Sequence, residues 1–382
     1  SFRFLKRKNM AFSYWESNEW LEGIDLLVVG GGIVGLSAAL KAREMHPEWR
    51  IAVVEADPFG GGGSSRNAGF SCFGSATELA HDRKELGDEA ALELVENRWQ
   101  GLKQLRSEFG DSALGLVVCG SVELFPSSGR ERRPSSAELA ELNRWIEPVT
   151  GVPDTFTEVD AAPWAHMDNG SGGRPILSRL EGLLNTGKMN RAFREKAQAS
   201  GIDLLFGMRV ERIEPLASGV EVAITAGEHR RALIKSDRAI IATNSFGQEL
   251  LPALDVEPAI NHVLVTNRMP GFAFPHAVHI DAGYIYARPI EDRMLIGGGR
   301  HWGLDEASTV RQLEALMHAL WPQTREAGIG HRWSGRLGVG SHRSPIVKTV
   351  APGVVAAVRM GGMGVAIGME VGRLAVEKLT TN

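Results

Sequence analysis

The sequence predicts an α/β domain joined to an α+β domain, the first on a buried parallel sheet and the second on an antiparallel one. Three observations carry this. A strand, a Gly30-x-Gly32-x-x-Gly35 turn, a helix and a second strand follow one another in the first 55 residues. Glycine makes up 45 of 382 residues, against a usual share of about 7%, and it clusters at 30–35, 60–63, 297–299, 335–340 and 361–364. Short apolar runs alternate with turn signals from 256 to 334.

The run DLLVVG (25–30) is continuously apolar, as expected of a strand covered on both faces. In the segment after it, Ile33, Leu36 and Leu40 keep helical spacing and Pro47 closes the helix. Gly30 makes the tight turn, Gly32 lets backbone approach a pyrophosphate, and Gly35 lets helix pack on strand. Ile33 and Val34 open the helix, whose free N–H groups face the phosphates. The second strand ends at Glu55 and Ala56; Glu55 lies 20 residues past Gly35, where a carboxylate accepts bonds from a ribose. This is a Rossmann-like signature, open at this point to either NAD or FAD.

Residues 59–74, FGGGGSSRNAGFSCFG, come directly after that strand. The loop GSSRNAGF resembles that of the FAD-dependent amine and amino-acid oxidoreductases of the D-amino-acid oxidase superfamily, with its sarcosine oxidase, glycine oxidase and gamma-glutamylputrescine oxidoreductase families. The resemblance covers nearly the whole chain. It implies noncovalent FAD, with Ser64, Ser65, Arg66 and Asn67 as polar contacts to it. Farther on, it assigns Val210 to the adenine and Ala242 and Thr243 to a strand end near the dinucleotide. Gly335 and the Gly361-Gly362-Met363-Gly364 turn, which opens the last helix, complete the cofactor set. By the same resemblance the FAD domain is assembled from 1–85, 160–255 and 335–382, and the substrate domain from 86–159 and 256–334.

The implied reaction is oxidation of a small amine or amino acid by hydride transfer to flavin N5. The imine so formed hydrolyses, with molecular oxygen or another acceptor taking the electrons, and no side-chain nucleophile is assigned. Residues that grip substrate in sarcosine oxidases are absent: their lysine after the terminal motif falls at Ala366, their arginine at Phe73 and their oxygen-activating lysine at Leu295. The anion anchors left are Arg288, Arg300, Arg336 and Arg343, because a guanidinium suits a carboxylate or phosphonate. His301 follows Arg300, His342 precedes Arg343, and Tyr284 and Tyr286 alternate as neighbours on one sheet face. Two other readings stay open, a flavin-binding subunit relaying electrons and an NAD-dependent dehydrogenase.

The bulk numbers limit the rest. A net charge of −4 gives no field for nucleic acid, and no apolar stretch reaches the ~18 residues of a membrane span. With only Cys72 and Cys119 and no metal-ligand spacing of histidines, neither a disulfide framework nor a metal site is expected, and Cys72 reads as a small buried residue. A cytoplasmic location is expected. The basic start, Lys6 to Lys8 ahead of Met10, reads as an expression leader or a frayed terminus rather than as part of the fold. The oligomeric state is not legible.

Overall fold

The computed structural model describes residues 12–126, 129–160 and 174–381; the basic start lies outside them. Two eight-stranded sheets dominate the described residues.

The first sheet runs in the order Ile346–Ala351, Val354–Val358, Arg230–Ile241, Ile24–Val29, Ile51–Glu55 and Asp203–Phe206. From Val354–Val358 to Asp203–Phe206 the pairing is parallel. Successive side chains alternate faces. Leu26, Val28, Ile51, Val53 and Val355 therefore pack under the helices Ile33–Met45 and Gly364–Thr380. Leu27, Val54 and Ile241 pack on the opposite side, with Val220, Val222 and Ile224 of the strand Val220–Ala226. The two helices touch closely: a Cβ on Gly372 would stand 2.6 Å from Ser37 Cβ, and one on Gly368 2.5 Å from Ile33 Cγ2.

The second sheet runs Ile329–Val339, Glu257–Thr266, Arg293–Gly298, Ile285–Ile290, Ala277–Ile280, Ser121–Glu123, Ile176–Ser178 and Phe156–Glu158. All neighbours are antiparallel except Ala277–Ile280 with Ser121–Glu123. Val278, Ile280, Ile285 and Ala287 point to one face, where Leu313, Met317 and Leu320 of the helix Glu306–Leu320 cover them. His279 and Tyr286 are cross-strand partners on the other face. That face fronts the first sheet's loops.

Two strands depart from the expected partition. Ile176–Ser178, within the 160–255 segment, joins the second sheet because Ser178 pairs with both Ser121 and Phe156. Ile329–Val339 runs across position 335 as one continuous edge strand. A ribbon of Phe70–Ser71 with Gly182–Leu183 stitches the glycine loop to the second sheet.

Candidate active site

The glycine turn, the glycine–serine loop and the strand ends of the first sheet wall one groove of about 460 Å³. Gly30 sits at φ +111°, and a Cβ there would stand 2.7 Å from the Ala242 carbonyl oxygen. No side chain fits. Gly35 does not line the groove; a Cβ on it would overlap the Gly30 carbonyl oxygen, so its role is helix-on-strand packing. Glu55 lies on the wall, its Oε2 accepting from Gly31 N at 2.8 Å and its Oε1 from Asp57 N at 2.9 Å. The carboxylate thus holds the turn in place and still has lone pairs toward the groove. Ala56 lies next to it on the same wall.

The loop is braced by its own side chains. Ser64 Oγ accepts from Ile33 N at 2.9 Å, docking the loop on the helix start. Ser65 donates to the Gly60 and Gly62 carbonyls. Asn67 donates to the Ser64 carbonyl at 2.7 Å and accepts from Gly69 N at 2.8 Å and the Thr186 hydroxyl at 2.9 Å. Arg66 is exposed and reaches the Ser334 carbonyl. Val210, Ala242 and Thr243 form the facing wall, and Thr243 Oγ1 is buried with no hydrogen-bond partner. A Cβ on Gly62 would meet nothing within 4 Å. An orphaned hydroxyl and bare glycines beside open space fit a dinucleotide.

A second cavity, about 340 Å³, adjoins the groove and shares Arg66, Asn67, Met360 and Gly362 with it. Gly361 (φ +61°) and Gly362 (φ +101°) make a left-handed turn that opens the helix Gly364–Thr380 at this junction, and Gly335 and Met363 line the cavity beside it.

Among the four arginines the structure divides the roles. Arg300 lines the cavity, its guanidinium 4.4 Å from the Tyr284 ring centroid. Burial pulls its pKa down, and no carboxylate lies within ion-pair distance among the described residues. Arg343 also lines the cavity but is engaged, 3.0 Å from Asp82 Oδ1 and 3.3 Å from the Tyr284 hydroxyl. Arg288 does not line it. Its guanidinium donates to the Ala68, Gly69 and Leu184 carbonyls at 2.8–3.0 Å, and burial lowers its pKa to about 10. Arg336 likewise faces elsewhere, stacked 4.2 Å from the Phe246 centroid. His301 pairs with Asp281 at 3.4 Å outside the cavity lining. Tyr284 and Tyr286 both line it, although Tyr284 stands in the turn before the strand. Burial pushes the Tyr286 hydroxyl up to about 12, and Asn261 hydrogen-bonds it. Leu295 is buried with Val263 and Val265, away from the lining.

Sequence reasoning missed the acidic wall. Glu78, Glu85, Arg98 and His279 line the cavity. Arg98 is 2% exposed and bonds Asp82 Oδ2 at 3.0 Å, with Glu78 at 3.5 Å. Burial pushes the Glu78 carboxyl up, beyond the opposing pull of Arg98. A signal existed: Arg98 falls in the apolar stripe of Leu94, Val95, Gly101, Leu102 and Leu105 on the helix Asp88–Phe109, and a charge there needs buried partners.

A groove with the form of a dinucleotide site that adjoins a charged pocket is the layout of an oxidoreductase that works through a bound cofactor. Residues 25–378 match the family described as FAD dependent oxidoreductase, DAO, and the chain belongs to it. The curated bifunctional protein ThiO/ThiG of Synechocystis sp. is 24% identical over 324 residues; these cover 81% of this chain but only 44% of that protein. Glycine oxidase from Geobacillus kaustophilus superposes with a TM-score of 0.72 at 19% identity, over 94% of this chain and 95% of that one. L-proline dehydrogenase from P. horikoshii gives 0.73 at 16% identity, covering 94% of each chain. At these identities the superpositions speak for the fold. The family assignment sets aside the nicotinamide reading.

Proposed function

We propose that the chain holds FAD noncovalently in the groove and oxidises a small amine or amino acid carrying an anionic group. The observation that carries this is Arg300, a buried guanidinium facing the cavity with no carboxylate partner among the described residues, beside a dinucleotide groove. FAD supplies the hydride acceptor of the reaction. The chain does the rest. Arg300 grips the anion, and Tyr284 beneath it fixes the fork. Tyr286 stays neutral and donates its hydroxyl proton as a hydrogen bond. The buried setting favours the neutral amine that the reaction needs. The positive end of the helix Gly364–Thr380, at the junction of the two cavities, favours negative charge developing there. The imine leaves and hydrolyses in water.

The names of the similar proteins, glycine oxidase and L-proline dehydrogenase, support amino acids as the substrate class. The expected cytoplasmic location is supported by two free thiols, Cys72 and Cys119; among the described residues no helix is long and apolar enough to cross a membrane. Anaerobic mixing with a panel of amines tests the proposal. Bleaching of the flavin by acidic amines is expected; a flavin that no amine reduces makes the chain an electron-relay subunit instead.

A further inference from the structure

Cys72, Glu181 and His279 are far apart in sequence, yet each brings one donor atom within 4.8 Å of the others. Three elements converge to do this. The ribbon pairs Ser71 with Gly182, which sets Cys72 beside Glu181. The strand Ala277–Ile280 delivers His279 from the second sheet. All are buried, at 8%, 0% and 4% exposure in that order.

The hydrogen bonding around them is unbalanced. Glu181 Oε1 accepts from Phe73 N at 3.0 Å and Gly74 N at 3.2 Å, and its Oε2 from the Ser121 hydroxyl. The carboxylate is fixed, with a lone pair left on Oε2. His279 Nε2 lies 3.3 Å from that oxygen, at ion-pair distance, and Nδ1 is buried with no hydrogen-bond partner. The ring thus offers one nitrogen toward the Glu181 carboxylate and one with no bond at all. Nitrogen and oxygen ligands about 2.0–2.1 Å from one tetrahedral ion stand about 3.3–3.4 Å apart, which is this separation. The carboxylates outnumber the cations in contact with them here. Among the described residues Glu123 is bonded by Ser75 and Thr77 and meets no arginine, and Arg98 is taken up by Asp82 and Glu78.

We infer that Cys72, Glu181 and His279 bind one divalent ion of the zinc type, with a fourth position open to the substrate cavity. Sulfur, imidazole and carboxylate together suit a borderline ion such as zinc and not calcium or magnesium. Cys72 and His279 both line the cavity, so the open position faces it and takes water or an anionic small ligand. Closing the site needs the side chains to draw together by about 1 Å, from the donor separations seen to those of a tetrahedral ion, and it releases the thiol proton. The backbone and Ser121 bonds to Glu181 would orient that ligand, as bonds to metal-bound groups generally do.

The test uses the full FAD-loaded chain, stripped with a chelator, equilibrated with zinc and desalted. About one zinc per chain is expected. Cobalt in its place should give a thiolate charge-transfer band and tetrahedral bands in the red, beyond flavin absorption. Cys72→Ser and His279→Gln should each bind zinc at least about tenfold more weakly while keeping FAD and the unfolding midpoint. If either variant fails to fold, the cobalt spectrum of the wild type decides. Wild type that retains no zinc, cobalt bound without a thiolate band, or variants that retain zinc as well as wild type would overturn the site. Amine-dependent bleaching is read separately, so loss of this inference leaves the proposed function standing.

Discussion

Replacing Arg300 by alanine removes a buried guanidinium of the cavity that no carboxylate holds among the described residues. The side chain is desolvated, its pKa pulled down by burial, and it rests on the Tyr284 ring 4.4 Å away. A substrate anion would therefore meet a charge already stripped of water and fixed in direction. Truncating one partner of such a pair costs about 2–5 kcal/mol. At about 1.4 kcal/mol per factor of ten, that is about thirtyfold to several thousandfold in kcat/KM. Arg300→Lys should recover only part, since an ammonium offers no planar fork to the anion or to the ring. Anaerobic stopped-flow reduction, comparing acidic amines with neutral ones of equal size, reads this out. The loss should fall on the acidic amines. If wild type reduces equally fast with both, and Arg300→Ala changes neither rate, the cavity selects by apolar shape and the anchor does not exist.

Arg288→Ala should destabilise the chain by about 2–4 kcal/mol with little effect on substrate KM, because three carbonyls lose their donor; chemical denaturation beside steady-state kinetics separates the two. Glu55→Ala should weaken FAD by about 1.5–3 kcal/mol in a titration of apoprotein, and unchanged affinity would remove Glu55 from the site. Acid or heat should release FAD into the supernatant; colour left on the precipitated chain would refute noncovalent binding. Glu370 is buried, which raises its pKa, but hydrogen bonds from Arg373 and Gln104 outweigh this and leave it lowered. A lowered carboxyl stabilises above its unfolded pKa, about 4.3, and that contribution fades as pH falls through the folded value. Thermal midpoints of wild type should therefore drop in acid, and Glu370→Gln should flatten that limb.

The parallel sheet was legible because its strands are buried on both faces, so DLLVVG and IAVVE read as unbroken apolar runs. The groove was legible because the turn at Gly30 admits no side chain. The helix Glu306–Leu320 was not, although Asp305 caps it and Leu313, Met317 and Leu320 recur at helical spacing; strand and turn signals on either side hid it. Arg288 misled for a different reason. As an arginine of the proposed pocket sheet it read as an anion anchor, but its long side chain finds carbonyls of the glycine loop and of Leu184, and no local pattern reveals which carbonyls lack a donor. The cluster of Cys72, Glu181 and His279 depends on strand register across three segments, which spacing along the chain does not encode.

The left-handed turn at Gly361 and Gly362 sits where groove and cavity meet, and the strand before it, Val354–Val358, pairs with Ala239–Ile241. During synthesis on a ribosome the first strand, helix and glycine loop emerge early, yet they form only an open half-shell. The stretch from 335 to 367 supplies the missing wall for both compartments. A nascent chain released at residue 330 would thus have the fingerprint of a dinucleotide protein and nothing to close over the ligand. Flavin loading becomes a late event, coupled to docking of the final strand and helix.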